Sequence, residues 1–467
     1  MPAAPAPRLL EEFAQAFDQL FTRLNQREGF RRYLEGLLLP AERKKTLTAL
    51  ANTALKGGTQ EVQAQSLQWF LSESNWDEDT LNQRRRELLV QAPTTAPNSE
   101  GVLVIHESGH VKKHESGHVK KGTRTAHVGR QYLSSMGKIA YGVVSVSSLW
   151  ADERTFYPLD VIPYTPPDWF AHGQSDPAYR TKPTIALELV KQATAWQWPF
   201  KAVVANSFYG DDDMVREGLQ QMGVGYVMAL GLYHNWRHSV SELGSLQDVA
   251  RATLWKAADP GGAWAPIDRV FRNGFVERWW ALEIQAGPFG PGRRERAFVV
   301  TTNRLTLPEL ATWYLVSNLP AVDQPGSNSM PQVGASLPEI VRLYGLLDWV
   351  EQSYQQVETI LGWAQFEVRR SRAIRRHWLL VFCAFTFCWW QASQHRAERL
   401  SAQHPARQRS STGLPVPLPG QKKPEPPPGL SRPPLTGARL ARTSQFAQAL
   451  VAGVLEAAPT CSTPMLT

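Results

Sequence analysis

Gly101-Val-Leu-Val-Ile105, followed at once by His106, is the stretch from which the fold is read. It is a short, continuous apolar run, the pattern of a strand buried on both faces. Before it lies Ala92-Pro-Thr-Thr-Ala-Pro-Asn-Ser99, a turn-rich segment that reads as a linker. After it come further strand patterns at 138–150 and 156–162, then a helix over 184–196. Phe200-Lys-Ala-Val-Val-Ala205 repeats the buried-strand pattern, 211–222 is helical and Tyr226–Leu230 is a fifth strand. Strands first, then alternating helices and strands, predict an α/β fold with a mixed sheet.

Outward from that core the chain changes character twice. Residues 8–92 are helical: Leu9, Phe13, Phe17, Leu20 and Leu24 recur at spacings of three and four, and segments near 43–56, 60–72 and 78–90 continue the pattern. From 245 to 320, alternating stretches such as Arg278-Trp-Trp-Ala-Leu-Glu-Ile284 and Arg296-Ala-Phe-Val-Val-Thr-Thr302 predict a β-rich insertion. A long helix then starts at Ser336, which with Glu339 forms a capping-box pattern around Pro338, and runs to about Leu361. Arg369–Gln391 is a second helix. The domains expected are therefore 1–92 helical, 100–240 the first part of the core, 241–325 the insertion, 326–398 the closing helices, and 399–467 a mostly disordered tail. Residues 402–440, rich in Pro, Arg and Ser, cannot bury a core.

Composition narrows the setting. Hydrophobic residues make up 43% and charged residues 20%, so most of the chain is globular. A net charge of +8 and a pI near 9.4 favour a polyanionic partner, although part of the excess sits in the tail. Cys383, Cys388 and Cys461 form neither a metal knuckle nor a convincing disulfide framework, which points to a reducing, cytoplasmic compartment. The Met-Pro-Ala-Ala-Pro-Ala-Pro start lacks the basic and apolar regions of a signal peptide. The most apolar run, Trp378–Trp390, is shorter than the ~20 residues of a spanning helix and reads as core. No membrane partner is expected.

One tempting motif sits beside the first strand. His106-Glu-Ser-Gly-His-Val-Lys-Lys113 is repeated as His114-Glu-Ser-Gly-His-Val-Lys-Lys121, a local duplication. Each copy contains His-Glu-x-x-His, which on a helix puts two imidazoles on one face to bind zinc and a glutamate near its water. Here the motif follows a strand pattern and holds Ser-Gly, which disfavours helix by about 1 kcal/mol at the glycine. A zinc hydrolase is carried only as the third alternative.

The segments Gly117-His-Val-Lys-Lys-Gly-Thr-Arg-Thr-Ala-His-Val-Gly-Arg-Gln-Tyr132, Gly137-Lys-Ile139, Ser148-Leu-Trp-Ala-Asp-Glu-Arg154, Arg180-Thr-Lys-Pro183 and Val203-Val-Ala-Asn-Ser-Phe-Tyr-Gly210 occur in one order. Thr312-Trp-Tyr-Leu-Val-Ser-Asn-Leu-Pro320 and Tyr344-Gly-Leu-Leu-Asp-Trp-Val-Glu-Gln-Ser-Tyr354 complete the set. Together they make the chain resemble bacterial insertion-sequence DDE transposases. That resemblance implies an RNase H-like mixed sheet core, a helical N-terminal DNA-binding region, and a β-rich insertion before the last catalytic helix. It implies metal-dependent strand cleavage and transfer, with two Mg²⁺ or Mn²⁺ ions about 4 Å apart held by two aspartates and a glutamate.

Carried over residue by residue, the aspartate positions fall on His106 and Asn206, and the glutamate on Glu351. The Tyr-Arg-Glu-Lys signature of the late helix falls on Tyr344, Leu347, Glu351 and Glu358, spaced to share one face. Leaving Tyr344 aside, four of five functional positions depart from the family pattern. An ion pair carrying four positive charges meets one carboxylate instead of three. Glu107 and Asp211 are nearby acids that offer weak help, Glu107 from the opposite face of an extended chain. Each substitution is one base change from the family residue, which suits a decaying copy or one retained for DNA binding. The resemblance implies DNA (insertion-sequence ends) as partner, a homodimer in a synaptic complex, and a bacterial, nucleoid-associated location. Candidate phosphate contacts are Arg84–Arg86, Lys112, Lys113, Lys120, Lys121, Arg130, Lys138, Arg372, Arg375 and Arg376.

Overall fold

The computed structural model describes residues 8–39, 45–51, 60–111, 125–133, 137–232, 234–237, 243–256, 263–271, 275–284, 295–322, 334–403, 449–452 and 459–460. The second copy of the duplication, Lys112, Lys113, Cys461 and most of the Pro/Arg-rich tail lie outside these residues.

Five helices lead: α1 (Arg8–Gln15), α2 (Leu24–Leu38), α3 (Leu47–Ala51), α4 (Gln60–Ser72) and α5 (Glu78–Gln91). Asp77 starts α5 by accepting the Thr80 amide at 2.7 Å. The core follows as β1 (Val102–Val111), β2 (Gly129–Leu133), β3 (Lys138–Ala151), β4 (Phe156–Tyr164), α6 (Lys182–Ala195), β5 (Ala202–Ala205), α7 (Ser207–Gly210), α8 (Asp213–Gln221) and β6 (Tyr226–Ala229). Next come β7 (Asn235–Arg237), β8 (Leu243–Ser245), α9 (Leu246–Lys256), β9 (Ala265–Phe271), β10 (Val276–Ile284), β11 (Arg296–Thr301) and β12 (Thr312–Ser317). The chain closes with α10 (Leu337–Leu361), α11 (Ser371–Gln403) and β13 (Pro459–Thr460).

The core strands lie side by side as β4-β3-β1-β5-β6, with β3 antiparallel to both neighbours and β5 and β6 parallel to β1. Three antiparallel strands followed by two parallel ones, flanked by helices, is the RNase H-like arrangement. The predicted β-rich insertion does form strands, and they continue this same sheet: β12 pairs antiparallel with β6, then β11, β10 and β9 follow. It also contains a helix, α9, that the sequence reading did not include.

Alternation along β1 and β5 divides the core in two. Val102, Val104, Ala202 and Val204 face the layer of α10, while Leu103, Ile105, Val203 and Ala205 face α6 through Ile185, Ala186 and Leu189. The outer edge of β4 is stopped by side chains of α5, whose Asn82 and Arg85 both donate to the Leu159 carbonyl. The segment 92–99 is a connection that is tied down: the Tyr157 hydroxyl donates to the Thr95 carbonyl at 2.8 Å, and Asn98 donates to Asp152 at 2.9 Å.

Helix α10 begins at Ser336, whose hydroxyl accepts the Glu339 amide. Only half of the expected capping box forms, because the Glu339 carboxylate instead pairs with Arg342 at 2.7 Å and Lys201 at 2.8 Å. Gly362 ends the helix with φ of 78°, a conformation open to glycine at little cost. Helix α11 is apolar on every side from Trp378 to Trp389 because it runs through the core, packed by α1, α2, α4, α5 and β4. No helix among the described residues is long and apolar enough to cross a membrane. Cys383 and Cys388 are buried, free thiols on α11.

Candidate active site

The site is built where β1 and β5 end beneath α10. The two strands are parallel and in register, Val102 opposite Ala202 through Val104 opposite Val204. Extending that register places His106 and Asn206 on neighbouring strands about 5 Å apart, on the face turned to α10. Chain direction reverses directly after Asn206, and Gly210 makes the reversal possible. A Cβ on Gly210 would lie 1.8 Å from the Ala229 carbonyl oxygen of β6.

The Asn206 side-chain oxygen accepts the Phe208 amide at 3.2 Å and caps α7, and the same side chain lies close enough to Glu351 to favour its charged form. The Glu351 carboxyl is pushed up to about 7, first by desolvation, then by the neighbouring Asp348 carboxylate, with Asn206 opposing both. His106 is buried and meets Tyr354, one turn past Glu351, edge-on at 5.6 Å. Tyr344 packs edge-on against Trp313 at 5.0 Å, and burial together with Glu351 and Asp348 drives its hydroxyl well above the usual range.

The remaining signature positions are structural here. Leu347 is part of the core beneath α10. Glu358 is 4% exposed and accepts a hydrogen bond from the Ser108 hydroxyl of β1. That buried bond ties α10 to β1.

The proposed helpers are elsewhere. Glu107 points to the opposite face, as strand alternation requires, where Lys182 holds it at 2.9 Å. Asp211 accepts the Gly231 amide at 2.9 Å and lies 3.1 Å from His234 Nδ1, while Asp212 caps α8.

Two residues missed in the sequence adjoin Glu351. Asp348 precedes it by three positions on the same helix, and burial raises its carboxyl while Arg269 opposes that rise. Arg269 comes from β9, its guanidinium 5.0 Å from the Trp279 ring centre and 4.9 Å from that of Trp313. It approaches α10 so closely that a Cβ on Gly345 would lie 3.1 Å from it. Helical spacing alone could have found Asp348. Nothing local in the sequence announces Arg269, since strand pairing brings it there.

His-Glu-x-x-His at 106–110 lies in β1, paired residue for residue with β3 from His106–Ser147 to His110–Val143. The motif is extended strand, which lacks the one-turn helical spacing on which the zinc pair depends. The helical zinc pair is therefore not formed at this copy.

Several candidate DNA contacts are also corrected. Arg376 is 0% exposed: it pairs with Glu78 at 3.2 Å, donates to the carbonyls of Leu71, Ser74 and Trp76, and lies 4.1 Å from the Trp76 ring centre. It cannot reach a phosphate, because it fastens α11 to the α4–α5 junction. Arg85 is equally buried against Asn82, Leu159 and Thr386, and Arg86 stacks over Trp196 at 3.5 Å. Arg372 and Arg375 are ion-paired to Glu78 and Asp79, and Arg84 to Glu87. Arg130 and Lys138 are exposed.

A metal set does not fit the residues that converge here. Glu351, with Asp348 three residues before it, stands beside a neutral amide and an imidazole, and burial raises both carboxyls so that neither readily holds a charge. Two hard divalent ions need several anionic oxygens. Among the described residues no three His, Cys, Asp or Glu side chains form a metal-holding group.

An RNase H-like sheet with a glutamate helix laid over the ends of its first and fourth core strands defines the polynucleotidyl-transferase class of fold. Residues 16–240 match the family model described as DDE superfamily endonuclease. The chain is 28% identical over 368 residues to the probable transposase for insertion sequence element IS701 of Microchaete diplosiphon, covering 79% of this chain and 83% of that protein. The chain is thus similar to insertion-sequence DDE transposases, a family whose members generally use divalent metal ions.

Proposed function

We propose that this chain is a DDE-type transposase-family protein for insertion-sequence DNA transposition, with an impaired strand-cleavage centre and a residual role in binding the element's DNA ends. The observation that carries the reading is that Asn206, a neutral amide and not a second carboxylate, stands beside Glu351 and opposes the rise that burial and Asp348 impose on its carboxyl. In the family arrangement two carboxylates at these places repel one another until metal arrives. Here a neutral amide replaces one of them, so the pair no longer offers the charge that recruits ions. His106 removes a second negative charge. No catalytic step is derived through metal at this site. On this reading the protein acts as a homodimer on DNA ends in the bacterial cytoplasm, associated with the nucleoid.

The test is Mg²⁺- or Mn²⁺-dependent nicking of a plasmid carrying the element's ends. Wild-type protein is expected to be inactive, and His106→Asp with Asn206→Asp and one repeat copy deleted is expected to regain nicking. Full regain requires Leu347→Arg and Glu358→Lys as well if the lost cations matter. Wild-type nicking that Glu351→Ala abolishes would overturn the impairment. That result would favour the second reading, a working enzyme with an altered metal set, for which the proximity of Asp348 to Glu351 is the supporting observation.

A further inference from the structure

Strand register extends the site's face outward along a hairpin. His106 is opposite Ser147 and His110 opposite Val143, while on β2 Arg130 is opposite Tyr141 and Tyr132 opposite Ile139. Residues directly opposite in antiparallel strands share a face, and every second residue returns to it. Arg130, Tyr132, Ile139 and Tyr141 therefore lie on the same face of β3 as His106, beginning about 20 Å along the strand from it.

This patch is unlike the rest of that face. Toward the core the face is closed by buried Val143, Ser145 and Ser147, but Tyr132 is 52% exposed, Ile139 61% and Tyr141 37%. Neither tyrosine ring meets another ring or a cation among the described residues, and Arg130 and Lys138 have no carboxylate partner there. Positions 129–133 and 138–142 contain no acidic residue. The hairpin base is held firmly: Trp169 donates to the Val128 carbonyl at 2.7 Å, and a Cβ on Gly129 would lie 2.5 Å from Pro166.

We infer that this hairpin face is a stacking platform for an unpaired DNA strand running to or from the Asn206–Glu351 site. The inference rests on the reading of that site as a DNA-handling centre. Two exposed tyrosines on adjacent strands present flat rings that a duplex, with its bases already stacked, does not engage. Uncompensated Arg130, on the same face, supplies charge for the accompanying phosphates. Exposed aromatic faces beside an unpaired cation are the two components that sequence-tolerant single-strand binding needs.

The experiment is fluorescence anisotropy of the full chain with fluorescein-labelled oligo-dT and with the matching dT·dA duplex, in EDTA so that metal chemistry plays no part. Tyr132→Ala with Tyr141→Ala is expected to weaken oligo-dT binding by at least about fivefold per stacked base lost, with the duplex changed less than about twofold. The corresponding Phe pair should restore binding, since the ring and not the hydroxyl stacks. Arg130→Gln should lower the salt slope of oligo-dT binding by about 0.7. All are surface changes, and an unaltered melting curve confirms folding. An unchanged oligo-dT affinity in the Ala pair overturns the platform, as does an equal loss for both probes. Loss of self-association in place of DNA affinity would also overturn it, marking the face as a subunit contact. If wild-type protein binds neither probe, the DNA reading of the site falls with it. If wild type binds both and only the platform variants are silent, the site's reading stands and the platform alone is rejected.

Discussion

Two regions of this molecule bury charge, and they do so in opposite ways. At the junction of α11 with the N-terminal helices, Arg376 meets one carboxylate, three carbonyls and an aromatic face, leaving little of its guanidinium unmatched. Beneath α10, Glu351 and Asp348 crowd together, and burial raises both carboxyls. The first region is finished as it stands. The second is short of positive charge: Asn206 favours the charged form of Glu351 and the Arg269 cation that of Asp348, and neither offsets burial. Buried charge with a full set of partners marks scaffold, and buried charge lacking them marks a site or its remnant.

The largest expected effect comes from undoing the finished region. Arg376→Ala leaves the Leu71 and Ser74 carbonyls without this donor and Glu78 with only the half-exposed Arg372, and should cost about 3–5 kcal/mol in denaturant unfolding. A loss below about 1 kcal/mol would mean that the junction is not held by this residue.

Restoring the unfinished region should show the reverse dependence on metal. Asn206→Asp replaces the neutral amide beside Glu351 with a like charge, so in EDTA the protein should lose about 1–3 kcal/mol. Mg²⁺ or Mn²⁺ should return part of that loss in the variant and leave wild type unmoved, because an ion that binds only the folded state stabilises it by mass action. A melting point in EDTA equal to wild type would remove the argument that Asn206 relieves repulsion.

Acid sharpens the contrast at the junction. His377 accepts the Tyr33 hydroxyl proton on Nδ1 at 2.7 Å and donates from Nε2 to the carbonyls of Gly362 and Trp363, which fixes one neutral tautomer. Burial lowers its pKa to about 4 from 6.5. Between those values the unfolded chain takes up a proton that the folded chain refuses. Stability from this group is therefore complete above pH 6.5 and is lost as pH falls toward 4, by up to about 1.4 kcal/mol per unit. Urea midpoints measured across that window should flatten in His377→Gln; an unchanged slope would assign the acid sensitivity elsewhere. The smallest effect is Arg372→Ala, whose pair with Glu78 is half exposed at the arginine; about 0.5 kcal/mol or less is expected from the same unfolding curves.

Much of this was legible before any coordinates. The apolar runs at 101–105 and 200–205 became β1 and β5, and the pattern from Ser336 became α10, because burial on both faces and helical periodicity leave direct marks in sequence. Asn206 and Glu351 were named from motifs, and the fold brings them near enough for Asn206 to lower the Glu351 pKa. What sequence reading misjudged were the arginines. Arg85 and Arg376 look like surface cations because charge periodicity cannot reveal which helix face another helix will cover. The family words were legible as words but not as roles: in Ser148-Leu-Trp-Ala-Asp-Glu-Arg154, Trp150 lies over Gly101, Asp152 accepts the Arg154 and Thr155 amides, and Glu153 pairs with Arg342 of α10.

The sequence by itself determined the likeness to the family, the order of the strands along the chain, and the residues His106 and Asn206 at the places where that likeness implies aspartates, since these are properties of residue type and spacing. Only the tertiary structure decided that Asn206 and Asp348 stand beside Glu351, that Glu358 is bound inside by Ser108, and that Arg269 stands beside Asp348. Each of those depends on which side chains a sheet and a helix from distant parts of the chain bring within hydrogen-bonding or Coulombic reach. In a desolvated place that proximity, more than residue identity, sets the charge a group can carry.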